Sequence, residues 1–190
     1  MFNWPWSKQA PPEPPAIERV WLNLAARDQA LVRAAKADNI VIIAFFDDTV
    51  GRVREALHAA GCVEGASLVV VRVDKLERAN PGVPIFLAER HPLPSHNRAL
   101  LERLHREAPG VVPVCFSALD EPFMLRFGGE RVAMMMTRLG LSADEPVEHA
   151  MVSRSLSRAR EKIAKQVGAA AVTPAQAKSM AEWLQHHLPR

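Results

Sequence analysis

The sequence predicts an α/β protein, a mostly parallel sheet with helices on both faces, followed by an α-helical extension. Three observations lead there. Residues 39–46 (NIVIIAFF) form a continuous apolar run of β-branched and aromatic side chains, the pattern of a strand buried on both faces. Comparable runs recur at 67–73, 83–88 (VPIFLA) and 111–116 (VVPVCF), with segments of helical spacing between them. Beyond Asp120 the apolar spacing is helical to the end.

Taken in order, residues 1–16 hold Pro5, Pro11, Pro12, Pro14 and Pro15, which neither continue a helix nor donate to a sheet, so an extended tail is expected. Phe2, Trp4 and Trp6 make that tail sticky: it packs on its own domain, or it is a short anchor for a partner or a membrane interface. Residues 17–37 read as helical, with Val20, Leu24, Leu31 and Ala35 on one face. After the strand at 39–46, Asp47, Asp48 and Thr49 read as loop and helix cap, and 50–60 as a helix closed by Gly61. A helix opened by Ser95 runs to Glu107, with Leu100, Leu101 and Leu104 inward. In the extension, 122–127 and 130–139 are short helices stopped by Gly128-Gly129 and Gly140. Pro146 opens a long helix to about residue 167, with Val152, Leu156, Ala159, Ile163 and Val167 as its stripe. Thr173-Pro174 starts a last helix.

The chain of 190 residues suffices for one domain with a real core plus an extension. A formal net charge of +3 with no Tyr argues against nucleic acid, which needs a basic patch and stacking aromatics. Cys62 and Cys115 have no finger or CxxC spacing, which fits a reducing cytoplasm. The first residues lack the basic start and apolar segment of a signal peptide, and no apolar run reaches membrane-spanning length.

Residues 115–167 carry the most specific pattern. Phe116-Ser117-Ala118-Leu119-Asp120 is followed by Phe127-Gly128-Gly129-Glu130-Arg131, then Met134-Met135-Met136-Thr137-Arg138-Leu139-Gly140, then Val147-Glu148-His149. In order and spacing this resembles the SecA preprotein translocase ATPase family. There a strand ending like FYLSLEDDLMR leads through F-G-x-x-R and a helix like MMRKLG to the IEH start of a long helix. Upstream, Ala88-Glu89-Arg90-His91 looks like that family's TERHES step. The likeness then fades. Arg103 and Arg106 fall where the family has two arginines of its QLRGRSGRQGD loop, but Leu101, Glu102, His105 and Glu107 replace the rest. No TNMAGRGTDI-like segment lies between Gly61 and Val83, and no G-x-x-x-x-G-K-[ST] occurs.

The resemblance implies a degenerate RecA-like domain over 17–121, and over 122–190 the start of a helical scaffold, in a stand-alone SecA-like protein without the P-loop domain. It implies a non-catalytic adaptor or regulator of protein export that binds a protein partner, with no cofactor, in the cytoplasm or peripherally at the inner membrane. The expected binding residues are Glu89, Arg90, His91, Phe127, Arg131, Met135, Arg154, Arg158, Lys162 and Lys165. The last four step by three and four residues along one helix face, either a solvated face or a dock for an acidic partner or anionic lipid. Methionines 124, 134–136 and 151 are adaptable core or a peptide groove. The alternative is a small enzyme or ligand-binding domain in which Asp47, Asp48, Glu89 and His91 converge at the strand ends. A homo-oligomer paired through the helical extension is a third reading. A metal is not expected, because His91, His96 and His105 lack acids at ligand spacing.

Overall fold

The apolar run at 39–46 becomes the centre of the sheet. In the computed structural model, which describes residues 14–148, 150–167 and 177–188, strand β2 (Ile40–Ala44) is buried at every position. Ile40, Ile42 and Ala44 face one helical layer, Val41 and Ile43 the other. Strand β2 pairs in parallel with β3 (Leu68–Arg72) and with β4 (Ile85–Leu87). Beyond β4 come β5 (Val114–Ala118) and β1 (Ile17–Trp21), giving the all-parallel order β1-β5-β4-β2-β3. This is the α/β class expected, consistent with a RecA-like domain followed by helices.

Strand β1 corrects the reading of 17–37 as one helix. Ile17, Val20 and Leu24 have helical spacing, but Ile17–Trp21 runs extended along β5, and Trp21 stacks on Phe116 at 5.9 Å between centroids. Helix α1 covers only Leu24–Ala37. Asn23 caps it, its Oδ1 accepting the Ala26 N–H at 2.8 Å.

Helices α1 and α2 (Asp47–Ala59) cover one face of the sheet around Leu31, Val53 and Leu57. Asp47 and Asp48 lie in the first turn of α2 rather than before it, well placed for the helix dipole. Helix α3 (Pro94–Glu107) covers the other face, with Leu100, Leu101 and Leu104 inward as expected. It starts at Pro94 after Leu93 with no side-chain cap, so Ser95 does not cap it. Pro at the first position explains this, since it has no N–H to satisfy.

The remaining helices are α4 (Pro122–Arg126), α5 (Gly129–Arg138), α6 (Ala150–Val167) and α7 (Met180–His187). Val147 was expected inside the long helix. It forms instead an antiparallel bridge to the open edge of β1, donating to Val20 O at 2.7 Å and accepting from Val20 N–H at 3.3 Å. The stripe Leu156, Ala159 and Ile163 of α6 joins Leu22, Phe46 and Trp183 in a third apolar cluster. Ser179 caps α7, its hydroxyl oxygen accepting the Glu182 N–H at 3.1 Å. The expected tail with Phe2, Trp4 and Trp6, His149, the Thr173-Pro174 start and the Met151 side chain lie outside the described residues. Among the described residues no helix is long and apolar enough to cross a membrane.

Candidate protein-binding groove

The carboxyl ends of parallel strands are where α/β sheets usually hold ligands. Here they hold a buried charge network. Glu89, just beyond β4, accepts from the Phe45 and Phe46 N–H groups at 3.0 and 2.9 Å and from the Thr49 hydroxyl at 2.7 Å. It thereby locks the β2–α2 turn. Arg27 of α1 is fully buried. It donates to Asp28 at 2.9 and 2.6 Å, to the Ala88 carbonyl at 2.7 Å and to Glu121 at 3.2 Å. Arg52 reaches the second oxygen of Asp28 at 3.2 Å. Burial pushes the Glu89 carboxyl above the usual range despite these donors. Burial also pushes Glu121 up to about 7, with Arg27 opposing and Glu89 adding to the rise. Burial alone would lower the Arg27 guanidinium, but Glu121 and then Asp28 hold it above its ordinary value.

The Glu89–His91 segment is therefore not an exposed surface, contrary to its place among the expected binding residues. Glu89, Arg90 and His91 are 2%, 8% and 5% exposed. Arg90 pairs with Glu18 of β1 at 2.6 Å. His91 accepts the Leu93 N–H on its ring Nδ1, and its backbone N–H donates to the Asn97 Oδ1. Its ring stacks on His96 at 4.2 Å and meets Trp183 of α7 edge-on at 5.0 Å. Burial, reinforced by His96 and His187, pushes its pKa down to about 2, so the ring is neutral.

The four residues of the strand-end alternative do not converge either. Asp47 pairs with Arg72 at 2.8 Å and Asp48 with Arg52 at 3.7 Å, both facing solvent, while Glu89 and His91 turn inward to the partners above. Helix α7 fills the strand ends they were expected to share: Trp183 lies in one cluster with Phe46 and Leu93, and Asp48 N–H donates to Lys178 O at 3.0 Å. No group of His, Cys, Asp and Glu able to hold a metal is present among the described residues.

An apolar concavity lies against α6. A trough of about 490 Å³ runs between α4–α5 and α6. Buried Leu119, Met124, Gly129, Leu156 and Ala159 line its interior. Phe127, Val132, Met135 and Met136 form one wall; Val152, Ser155, Arg158 and Lys162 form the other. Phe127 is 42% exposed and Met134 and Met135 51% each, so the α5 rim is apolar and open. Sequence positions a whole helix apart, Phe127, Met135, Arg158 and Lys162, thus meet around one concavity. Arg131 is exposed on α5 outside the lining, and Arg154 and Lys165 extend the basic line along α6. Arg160, by contrast, turns inward, its guanidinium 5.4 Å from the Phe123 ring centre, and anchors α6.

Two features escaped sequence reading. The buried network around Arg27 had one signal, a charge spaced three from Leu24 and four from Leu31 on an apolar face. Gly129 looked like a helix breaker, yet it is needed for close approach: a Cβ there would sit 2.1 Å from Leu119 O.

No family model matches the sequence. The chain is similar to "Protein translocase subunit SecA" from Christiangramia forsetii, 31% identical over 93 residues, which are 49% of this chain and 8% of that protein. It is 37% identical over 82 residues to the protein of that name from Acinetobacter baumannii, covering 43% and 9% of the two chains. With that of Aromatoleum aromaticum it shares 28% over 149 residues, 78% of this chain and 16% of the relative. The chain thus spans between 8% and 16% of the length of these curated relatives. The sequence is SecA-like over a short piece of that family's length, carried on a parallel sheet with a helical extension.

Proposed function

We propose that this chain is a non-catalytic adaptor or regulator in protein translocation, acting in the cytoplasm or at the inner membrane by binding a protein partner through the α4–α5/α6 trough. The single observation that carries the reading is the trough itself, an apolar concavity with an exposed methionine rim and a basic wall, built within residues 115–167, whose motif order resembles that of SecA. The relatives' name, protein translocase subunit, supports the setting. The filled strand ends support binding over catalysis, because α7 and the Glu89 hydrogen bonds occupy the position where a substrate would lie.

The test is a photo-crosslinking amino acid placed at Met135 of the full chain in its native cell, with Glu102 on α3 as the control position. Crosslinks to a translocation component from Met135 and not from Glu102 support the reading. Crosslinks absent from Met135, or equal at both positions, refute it. Calorimetry with ATP and ADP checks the non-catalytic part; micromolar binding with turnover would overturn it.

A further inference from the structure

We infer that the occupant of the trough is an amphipathic helix with acidic side chains beside its apolar stripe. This rests on the protein-binding reading above and adds the shape and charge of the partner.

The shape follows from what the trough lacks. Its walls are helices whose backbone groups are already bonded within α5 and α6, so no sheet edge is available to an incoming strand. An extended peptide laid in this apolar channel would bury N–H and C=O groups without partners, at about 1–3 kcal/mol for each. A helix brings its own bonds satisfied and presents only side chains. Helix α5 has ten residues; at ~1.5 Å per residue it offers a wall of roughly 15 Å, or about three turns of a ligand helix. Met135 and Met136 suit such a guest, since unbranched thioethers repack around different side chains.

The charge follows from the rim. Arg158 and Lys162 stand one turn apart on the α6 wall, and among the described residues no carboxylate lines the trough. Arg154, Arg158, Lys162 and Lys165 make no ion pair among the described residues, whereas Arg52, Arg54, Arg72 and Arg103 each hold a carboxylate. Those four cations along α6 are complementary to acids flanking an apolar stripe. A flat bilayer surface cannot enter a channel between two helices, which favours a convex protein element over lipid. The chain's own first residues are a poor match: they carry Lys8, a single acid at Glu13 and a proline pair at Pro11-Pro12.

The experiment uses the full chain and two labelled synthetic peptides of about four turns, each with Leu at the i, i+3, i+4, i+7 positions. One has Glu flanking the stripe, the other Lys at the same places. Fluorescence anisotropy should show the Glu peptide binding at least about tenfold tighter at low salt, with the advantage shrinking as salt rises. The double reversal Arg158→Glu/Lys162→Glu should invert the preference, and Met135→Asp should weaken both peptides, with circular dichroism checking that each variant folds. Equal binding of the two peptides, preference for the Lys peptide, or a preference that the reversal leaves unchanged overturns the inference. So does sedimentation with anionic vesicles that the Glu peptide fails to compete. Should Met135 crosslink a translocation component while the two peptides bind alike, the protein-binding reading stands and the charge assignment falls. Should the Glu peptide bind as expected while Met135 captures nothing in cells, the groove chemistry stands and the assignment to translocation falls.

Discussion

Three glycine-to-alanine substitutions in this chain should move stability in three different ways, and Gly129 is the decisive one. An alanine Cβ at Gly129 would lie 2.1 Å from the Leu119 carbonyl oxygen and 3.0 Å from the carbonyl carbon and Cβ of Met124. A carbon meets a carbonyl oxygen comfortably at ~3.3 Å or more, so a shift of about 1 Å is required. The obstacle is backbone in the β5–α4 turn, not the tip of a flexible side chain, and the cost belongs at the upper end of overpacking, about 3 kcal/mol. For a chain of this size that lowers Tm by roughly 6–12 °C. Gly128 has a φ of +83° and open space around its missing Cβ; alanine there costs only the left-handed strain, about 1–2 kcal/mol. Gly51 lies inside α2 with nothing within 4 Å, so alanine should stabilise by roughly 0.5–1 kcal/mol. Thermal and urea melts of the three variants give the order Gly51→Ala above wild type, then Gly128→Ala, then Gly129→Ala. Gly129→Ala melting at or above Gly128→Ala would refute the close packing of α5 on Leu119. Because Gly129 also lines the trough, this variant should lose peptide binding even where it remains folded.

Arg27→Met should cost about 3–5 kcal/mol in urea unfolding, because it leaves Asp28 and Glu121 buried without their shared cation; a loss under about 1 kcal/mol would show that network to be dispensable. Trp183→Ala, by emptying the joint between α7 and the strand ends, should cost about 3–5 kcal/mol and raise His91 towards its ordinary pKa, followed by NMR of the imidazole. Stability should also depend on pH. His91 is depressed on folding, so the unfolded chain binds the extra proton and stability falls as pH drops below its unfolded value near 6.5. Glu121 is raised to about 7, which adds stability at acid pH and loses it as pH rises from its unfolded value towards 7. The two oppose each other between about 4.5 and 6.5, and the acid loss steepens below that window. His91→Gln should flatten the acid limb; an unchanged limb would remove His91 as its cause.

How far sequence alone reached depended on whether a residue's surroundings were local. Strand β2 was legible because all five residues are buried on both faces, so their identity needs no partner to interpret. Strand β1 was not. It is an edge strand with Glu18 and Arg19 in it, and its apolar residues at 17 and 20 fall into step with the helix that follows. Only the distant Arg90, which takes the Glu18 carboxylate, explains a charge inside that strand. The trough was half legible. Phe127 and Met135 were expected binding positions in the connector, and Arg158 and Lys162 in a basic line along one helix face, but the concavity they share comes from how α5 rests on Leu119 against α6. The strand-end acids misled because position at a strand's end suggests a site, whereas the packing of Trp183 and the donors around Glu89 decide that it is filled.

The bridge between Val20 and Val147 bears on how the chain emerges during synthesis. Strand β1 is made early, yet both of its neighbours come late: β5 at Val114–Ala118 on one side and Val147 on the other. The central strands β2, β3 and β4 can assemble from one contiguous stretch while the ribosome is still working. The first strand must wait, with Ile17, Val20 and Trp21 uncovered, until the long-range closure that is the slow event in such topologies. A nascent chain halted before Val114 should therefore hold a protease-resistant middle and a cleavable beginning, and one extended past Val147 should protect both.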